Sequence, residues 1–221
     1  MVKWSFSGLK DFVNCPKQYH EVKILQNFTK KVTEQMLYGT EVHKALEDYV
    51  RDGTPLAKNY ERFKPIIDAI LEAPGKRHPE LKMALSAAKT PCAFDAEEYW
   101  VRGIVDLLIL DGETAYIIDY KTGSAKYPDP KQLKLMALMT FAHFPEVQFI
   151  KAGLLFVMHE VFVDEQYHRE EQDKLWNAFS TDLARLSVSY DKDMWPPNPT
   201  PLCGWCPVQT CDFYGRRGRR F

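Results

Sequence analysis

The sequence predicts a single α/β domain with a central mixed sheet flanked by helices. Three observations lead there. A chain of 221 residues is long enough to bury about 70% of its unfolded surface around one core, and nothing in it requires a second domain. Its 45% hydrophobic and 27% charged residues are the composition of a globular protein, not a disordered one. Amphipathic stretches of helical period alternate along the chain with β-branched apolar runs of strand length.

Taken in order, "SFSGLKDFVNCPKQYHEVKIL" opens with a serine-capped short helix around Leu9 to Val13, broken by Cys15-Pro16 and followed by a further helical or extended piece. From Thr33 to Arg51, Leu37, Val42, Leu46, Tyr49 and Val50 fall at helical spacing, and this helix carries His43. "DGTPL" ends it, and residues 59 to 73 read as a second amphipathic helix stopped by Pro74-Gly75. A polar linker and a segment of undecided type, Glu80 to Ser86, come next. Strands are expected from Tyr99 to Leu110 and from Thr114 to Tyr120, joined by Asp111-Gly112-Glu113, because Asp-Gly between two apolar runs signals a hairpin. A helix follows Pro130 and stops before Pro145. Residues 147 to 158 return as a strand and 169 to 188 as a helix. The final stretch, from Trp195 to Phe221, is rich in Pro, Cys, Gly and Arg.

The formal net charge is -1, so attraction to nucleic acid must come from a local patch. The N-terminal "MVKWSFSGLKDF" lacks the apolar region of a signal peptide, and no window approaches about 18 uninterrupted apolar residues. A cytoplasmic protein with no membrane partner is expected. Disulfides are not, since five cysteines is an odd number and a cytosolic chain of this size does not need them.

The informative irregularity lies in "YIIDYKTG". Ile117 and Ile118 mark a buried strand, yet Asp119 and Lys121 interrupt it on one face. Asp106 interrupts "GIVDLLIL" on the preceding strand in the same way. Two carboxylates inside paired apolar runs repel each other and lose hydration unless a positive charge sits between them. A divalent cation does this best, and carboxylate oxygens are what Mg²⁺ and Mn²⁺ prefer. The alternative is a salt bridge between Asp119 and Lys121, with Asp106 exposed at a strand end. Among other acids, Glu80 and Glu41 are either near the metals or simply solvated.

Four strings in this order, "GTEVHKALE", "RGIVDLLI", "IIDYKTG" and "QLKLMAL", resemble the PD-(D/E)xK nuclease superfamily, and within it the RecB-type exonuclease branch that includes CRISPR-associated and phage relatives bearing an iron–sulfur cluster. The resemblance covers most of the chain and implies a restriction-endonuclease-like core. It also implies roles. His43, Asp106 and Asp119 match the metal ligands, with the main-chain carbonyl of Tyr120 as a further one. Lys121 matches the catalytic lysine, and Gln132 the glutamine that holds the lysine or the DNA. Where that branch often has a tyrosine four residues after the glutamine, this chain has Met136, which is left out of the site.

"CGWCPVQTC" places Cys203, Cys206 and Cys211 at metal-ligand spacing, and three thiolates need a fourth ligand, for which Cys15 is the candidate. In the cluster-bearing relatives an early cysteine and three late ones hold a [4Fe-4S] cluster; residues 1–30 and 195–221 would then jointly form the cluster-binding region and a cysteine-rich closure. Four thiolates suit Zn²⁺ equally well, and unligated buried thiols are a third reading. Cys92 reads as a small buried hydrophobe. The tail "GRRGRRF" either neutralises phosphates or solubilises the terminus. Trp195, Trp205 and Tyr214 are expected to pack around the cluster in preference to stacking on bases.

The resemblance therefore implies a Mg²⁺- or Mn²⁺-dependent DNA exonuclease in recombination and repair, acting on single-stranded DNA or free ends, in the cytoplasm or in the host cytoplasm for a phage protein. Two rivals stay open: a DNA-binding or assembly protein with a vestigial nuclease site, and a zinc-stabilised nucleic-acid-binding domain.

Overall fold

The computed structural model describes residues 1–126 and 128–216. The described chain divides into two compact units, one made of Met1–Val32 with the chain from Phe179 onward, the other of Thr33–Ala178.

The larger unit holds one six-stranded mixed sheet in the order β2-β1-β3-β4-β5-β6, with β1 Lys76–Ser86, β2 Pro91–Cys92, β3 Tyr99–Asp111, β4 Thr114–Lys121, β5 Phe149–Phe156 and β6 Val161–His168. All neighbours are antiparallel except β4 and β5, which run parallel. A parallel pair needs a crossover, and Lys131–His143 supplies it as a helix. That helix is buried at Leu133 and from Leu135 to Phe141, with Lys131, Gln132, Lys134 and its last two residues half-exposed, as a sequence apolar on nearly all sides demands. Met136 is part of this core.

The predicted hairpin between β3 and β4 closes with Asp111 opposite Thr114, and Gly112 takes a φ of +57° that a tight two-residue loop requires. The helix Glu34–Asp52 starts at Thr33, whose side chain accepts from the Met36 N–H, and stops at Gly53 in the left-handed conformation. The helix predicted over 59 to 73 is shorter: a 3₁₀ turn at Glu61–Phe63 leads into Lys64–Leu71. Val42, Leu46, Phe63 and Ile67 from these segments pack on Leu107, Ile109, Ile118, Tyr120 and Leu155, forming a core on one face of the sheet. Asp119 and Lys121, alternating with Ile118 and Tyr120, project from the other face.

Two strands carry no clear signal in the sequence. Residues 76 to 86, read as linker and undecided segment, are β1, paired with β3 along its length. Pro79 is tolerated there because β2 covers β1 only at Ala84 and Leu85, leaving the rest as an edge that needs no donor. The second is β6, which caps the other edge of the sheet.

The smaller unit contains the helix Phe6–Asn14, capped by Ser5 as predicted, a short helical stretch Pro16–Tyr19 and a π-turn His20–Ile24. Trp195 packs here: its ring stacks on His20 with centroids 4.6 Å apart and meets Phe12 and Tyr190 edge-on. Trp205 does not follow the expectation of packing, being 71% exposed, and Tyr214 is exposed too. The helix Gln172–Lys192 spans the boundary between the units. Of the arginine tail, residues 217–221 lie outside the described residues. Among the described residues no helix is long and apolar enough to cross a membrane.

Candidate active site

Three elements of the larger unit converge on the interrupted strands. His43 Nδ1, on the helix Glu34–Asp52, lies 3.4 Å from Asp106 Oδ2 on β3. The same Asp106 oxygen accepts the backbone N–H of Tyr120 at 2.7 Å, where ladder pairing between β3 and β4 has ended. Asp106 is therefore not a carboxylate loose at a strand end: its side chain is 12% exposed and held on two sides. The Tyr120 ring, buried in the core, meets the His43 imidazole edge-on at 5.9 Å and fixes its tilt.

Beside them Asp119 is buried, with Lys121 ion-paired to Oδ2. Gln132, in the first turn of the crossover helix, joins the pair: its Nε2 donates to Asp119 Oδ1 at 2.7 Å and its Oε1 accepts from Lys121 Nζ at 3.0 Å. A side-chain amide is suited to this because it offers a donor to the acid and an acceptor to the ammonium at once.

Glu80 is the residue sequence reasoning set aside. One ligand atom each from His43, Glu80 and Asp106 lies within 4.8 Å of the others. Glu80 sits on β1 opposite position 106, between the pairs Pro79–Leu107 and Leu81–Val105, with a φ of +51°. A non-glycine residue in that conformation is strained, and such strain gathers where a side chain is aimed at a site. Glu41, the other acid considered, accepts instead from Tyr60 Oη at 3.0 Å. His43 and Glu80 open on a cleft of about 1020 Å³ that Tyr38, Thr122, Gly123 and Met158 also line.

The electrostatics are those of crowded acids whose charge Lys121 and His43 offset only in part. Burial first, and then the Asp106 charge, push the Asp119 carboxyl up to about 6; Lys121 opposes the shift without cancelling it. Burial, Asp106 and Glu47 raise Glu80. For His43 burial lowers the pKa, but the hydrogen bond and charge of Asp106 outweigh it and the net shift is upward from 6.5. Both Asp119 and His43 hold protons in the fold that the unfolded chain has released, so each contribution to stability is lost as pH rises. For Asp119 the window runs from 3.8 to about 6, and for His43 it begins at 6.5. The metal-free protein should therefore lose melting temperature across this range more steeply than its Asp119→Asn variant, as calorimetry at stepped pH would reveal. Equal slopes would show that Asp119 binds its proton no more tightly in the fold than in the unfolded chain.

In the smaller unit, Cys15, Cys203, Cys206 and Cys211 line one small cavity. N–H groups are aimed at three of them: Gln18 N and Asn198 N at Cys15 Sγ (3.5 and 3.4 Å), Gln18 Nε2 at Cys206 Sγ (3.2 Å), and Thr200 N at Cys203 Sγ (3.4 Å). Such donors stabilise thiolates. Cys92 is half-buried on β2, across from Ala84, and burial raises its thiol pKa.

An open mixed sheet whose hairpin presents Asp106, Asp119 and Lys121, with the His43 imidazole and the Glu80 carboxylate beside Asp106, brings together donors of the kind that divalent cations take. The family model of the PD-(D/E)XK nuclease superfamily matches residues 3–211. The chain belongs to that superfamily. Among solved structures it is similar to a protein from Eubacterium rectale provisionally designated an exonuclease, at 15% identity over 95% of this chain and 86% of that one, with a TM-score of 0.51. SSO0001 aligns at 13% identity over 96% and 86% of the two chains, with a TM-score of 0.44. No curated protein matches the sequence.

Proposed function

We propose that this chain is a Mg²⁺- or Mn²⁺-dependent deoxyribonuclease that removes nucleotides from single-stranded DNA or free DNA ends. The observation that carries the reading is the hydrogen-bonded sequence Lys121–Gln132–Asp119 set beside His43, Asp106 and Glu80. A histidine with carboxylates is a donor set that fits these hard cations, Mn²⁺ better than Mg²⁺ on account of the imidazole.

In this reading His43, Asp106 and Asp119, with the Tyr120 carbonyl, hold the cation, and Glu80 joins them from β1. When bound, the cation supplies Lewis acidity toward the scissile phosphate and the attacking water. The residues do the rest. With a cation bound, Asp119 would be held as the carboxylate, the cation's charge offsetting the repulsion from Asp106 that raises its pKa in the metal-free protein. Lys121, freed from Asp119 but still held by Gln132, places its ammonium beside the phosphate, where it offsets growing negative charge or passes a proton. Linear, end-labelled DNA should release its label as mononucleotides while covalently closed single-stranded circles resist; circles cut as fast as linear strands would make the enzyme an endonuclease.

His43 carries a separate expectation. A histidine ligand must lose its proton to bind, so metal affinity should fall as pH drops through the raised pKa of His43, beginning above 6.5, and proton release should accompany binding. His43→Ala should weaken Mn²⁺ binding about tenfold or more in calorimetric titration. Unchanged affinity would return His43 to a purely structural place.

For the cysteines we propose a [4Fe-4S] cluster within a single nuclease domain spanning 1–221, with 1–30 and 195–221 jointly forming its binding region. Tetrahedral zinc with Zn–S of about 2.3 Å would draw its sulfurs to within about 4 Å of one another. Iron, sulfide and zinc analysis of the purified protein separates the two.

A further inference from the structure

We propose that Lys82 and Arg102 bind neighbouring backbone phosphates of the strand whose scissile bond lies at Asp106. The inference deepens the nuclease reading and rests on it. Along β3, Arg102 and Ile104 alternate with Gly103 and Val105 and so share one side of the strand, and Asp106 follows two residues beyond Ile104. Val105 is buried and Gly103 lies against Met139, whereas Ile104 is 36% exposed and Arg102 half-exposed. Lys82, exposed, stands opposite Ile104 on β1, two residues beyond Glu80, and Arg102 stands opposite Ala84. At about 3.3 Å per residue the two cations lie about 7 and about 13 Å along the strands from the metal-site carboxylates. Successive phosphates of an extended strand entering the site fall at this kind of interval.

Both cations are held by one ring. Lys82 Nζ is 5.7 Å from the centroid of Phe94, and the Arg102 guanidinium is 5.1 Å from it and 4.6 Å from that of Tyr99. Aromatic faces position a cation without neutralising it. Among the described residues neither side chain has a carboxylate partner, unlike Lys44, Lys64 and Arg51, which are ion-paired on their own helices. In a chain of net charge -1, unneutralised cations in line with the metal site are the local patch that phosphate recognition needs. Ile104 between them offers an apolar contact for a sugar or base. Asp95, Glu97 and Glu98 in the β2–β3 connection are exposed and repel phosphate, which limits the track to these two contacts.

The test is the salt dependence of binding to a fluorescent oligothymidine, in a Lys121→Ala background with Mg²⁺ so that the strand is held and not cut. Each phosphate contact on a single strand contributes about 0.7 to the slope of log K against log salt, so Lys82→Gln with Arg102→Gln should flatten it by about 1.4, and Arg102→Lys should leave it unchanged. In the active enzyme the double variant should raise KM more than it lowers kcat, with melting temperature and Mn²⁺ affinity confirming an intact sheet. If the enzyme cuts DNA while the slopes coincide, the track is overturned and the nuclease reading survives. If the parent protein neither binds nor cuts any nucleic acid, both fall.

Discussion

Lys121→Ala should lower DNA cleavage by about 10³-fold, equivalent to about 4 kcal/mol on the barrier, without unfolding the protein. The loss is large because the ammonium is held where charge develops, by Gln132 Oε1 on one side and Asp119 on the other. The fold survives because Lys121 is itself 32% exposed and because Asp119, already raised by burial, takes up a proton when its partner goes. Asp119→Ala should have the same effect on turnover for the other reason: in the proposed reading it removes a metal ligand. Lys121 then keeps its contact with Gln132, and the metal-free variant should melt no lower than the parent near neutral pH, since a buried like charge has been removed. Single-turnover cleavage and melting curves of both variants check this together. Parental cleavage rates in either one, under saturating metal, would take these residues out of the active site.

If the four cysteines hold the proposed cluster, serine at Cys15, Cys203, Cys206 or Cys211 should remove the iron and lower the melting temperature, whereas Cys92→Ser should do neither. Under the cluster reading, anaerobically purified protein is brown, absorbs broadly, and carries about four irons and four sulfides per chain. Loss should be cooperative because Gln18 ties the two ends of the chain at the sulfurs, reaching Cys15 through its backbone and Cys206 through its side chain. Ligands from residue 15 and from 203 to 211 close a loop of most of the chain, so releasing them frees considerable unfolded-state entropy as well as the bonds themselves. Colourless protein with one zinc would replace the cluster by the alternative metal. Full iron content in Cys15→Ser would mean that the fourth ligand lies elsewhere.

The residues legible from sequence were those that broke a pattern. Asp106, Asp119 and Lys121 each stand where a buried strand should be apolar, and His43 sits on the apolar side of a helix between Val42 and Leu46. Gln132 was legible only through family resemblance; as a residue it is an ordinary polar side chain in a first helical turn, and its two-sided bridge depends on where the crossover helix lands on the sheet. Glu80 could not be read as part of the donor set because β1 could not be read as a strand. "KRHPELK" is charged, contains a proline and lacks alternation, since much of β1 is an edge exposed to water. The aim of Glu80 toward His43 and Asp106 rests on a left-handed kink at Glu80 itself, which no propensity anticipates. β6 was missed for a different reason: in "VFVDEQYH" the inward positions 163, 165 and 167 alternate with exposed ones, but one of them is Glu165, so the period does not show as an apolar pattern in the sequence. Trp205 shows the converse, an aromatic expected to pack that the fold leaves in water.

The central claim is that His43, Asp106, Asp119 and Lys121 form one metal-dependent hydrolytic site. Its most direct measurement is cleavage of end-labelled single- and double-stranded DNA by the purified protein, with Mg²⁺, with Mn²⁺ and with chelator, run beside Lys121→Ala. The expected result is cleavage by the parent protein with either metal, none with chelator, and none above background by the variant. Cleavage that persists in chelator, or that is equal in the variant, would contradict it.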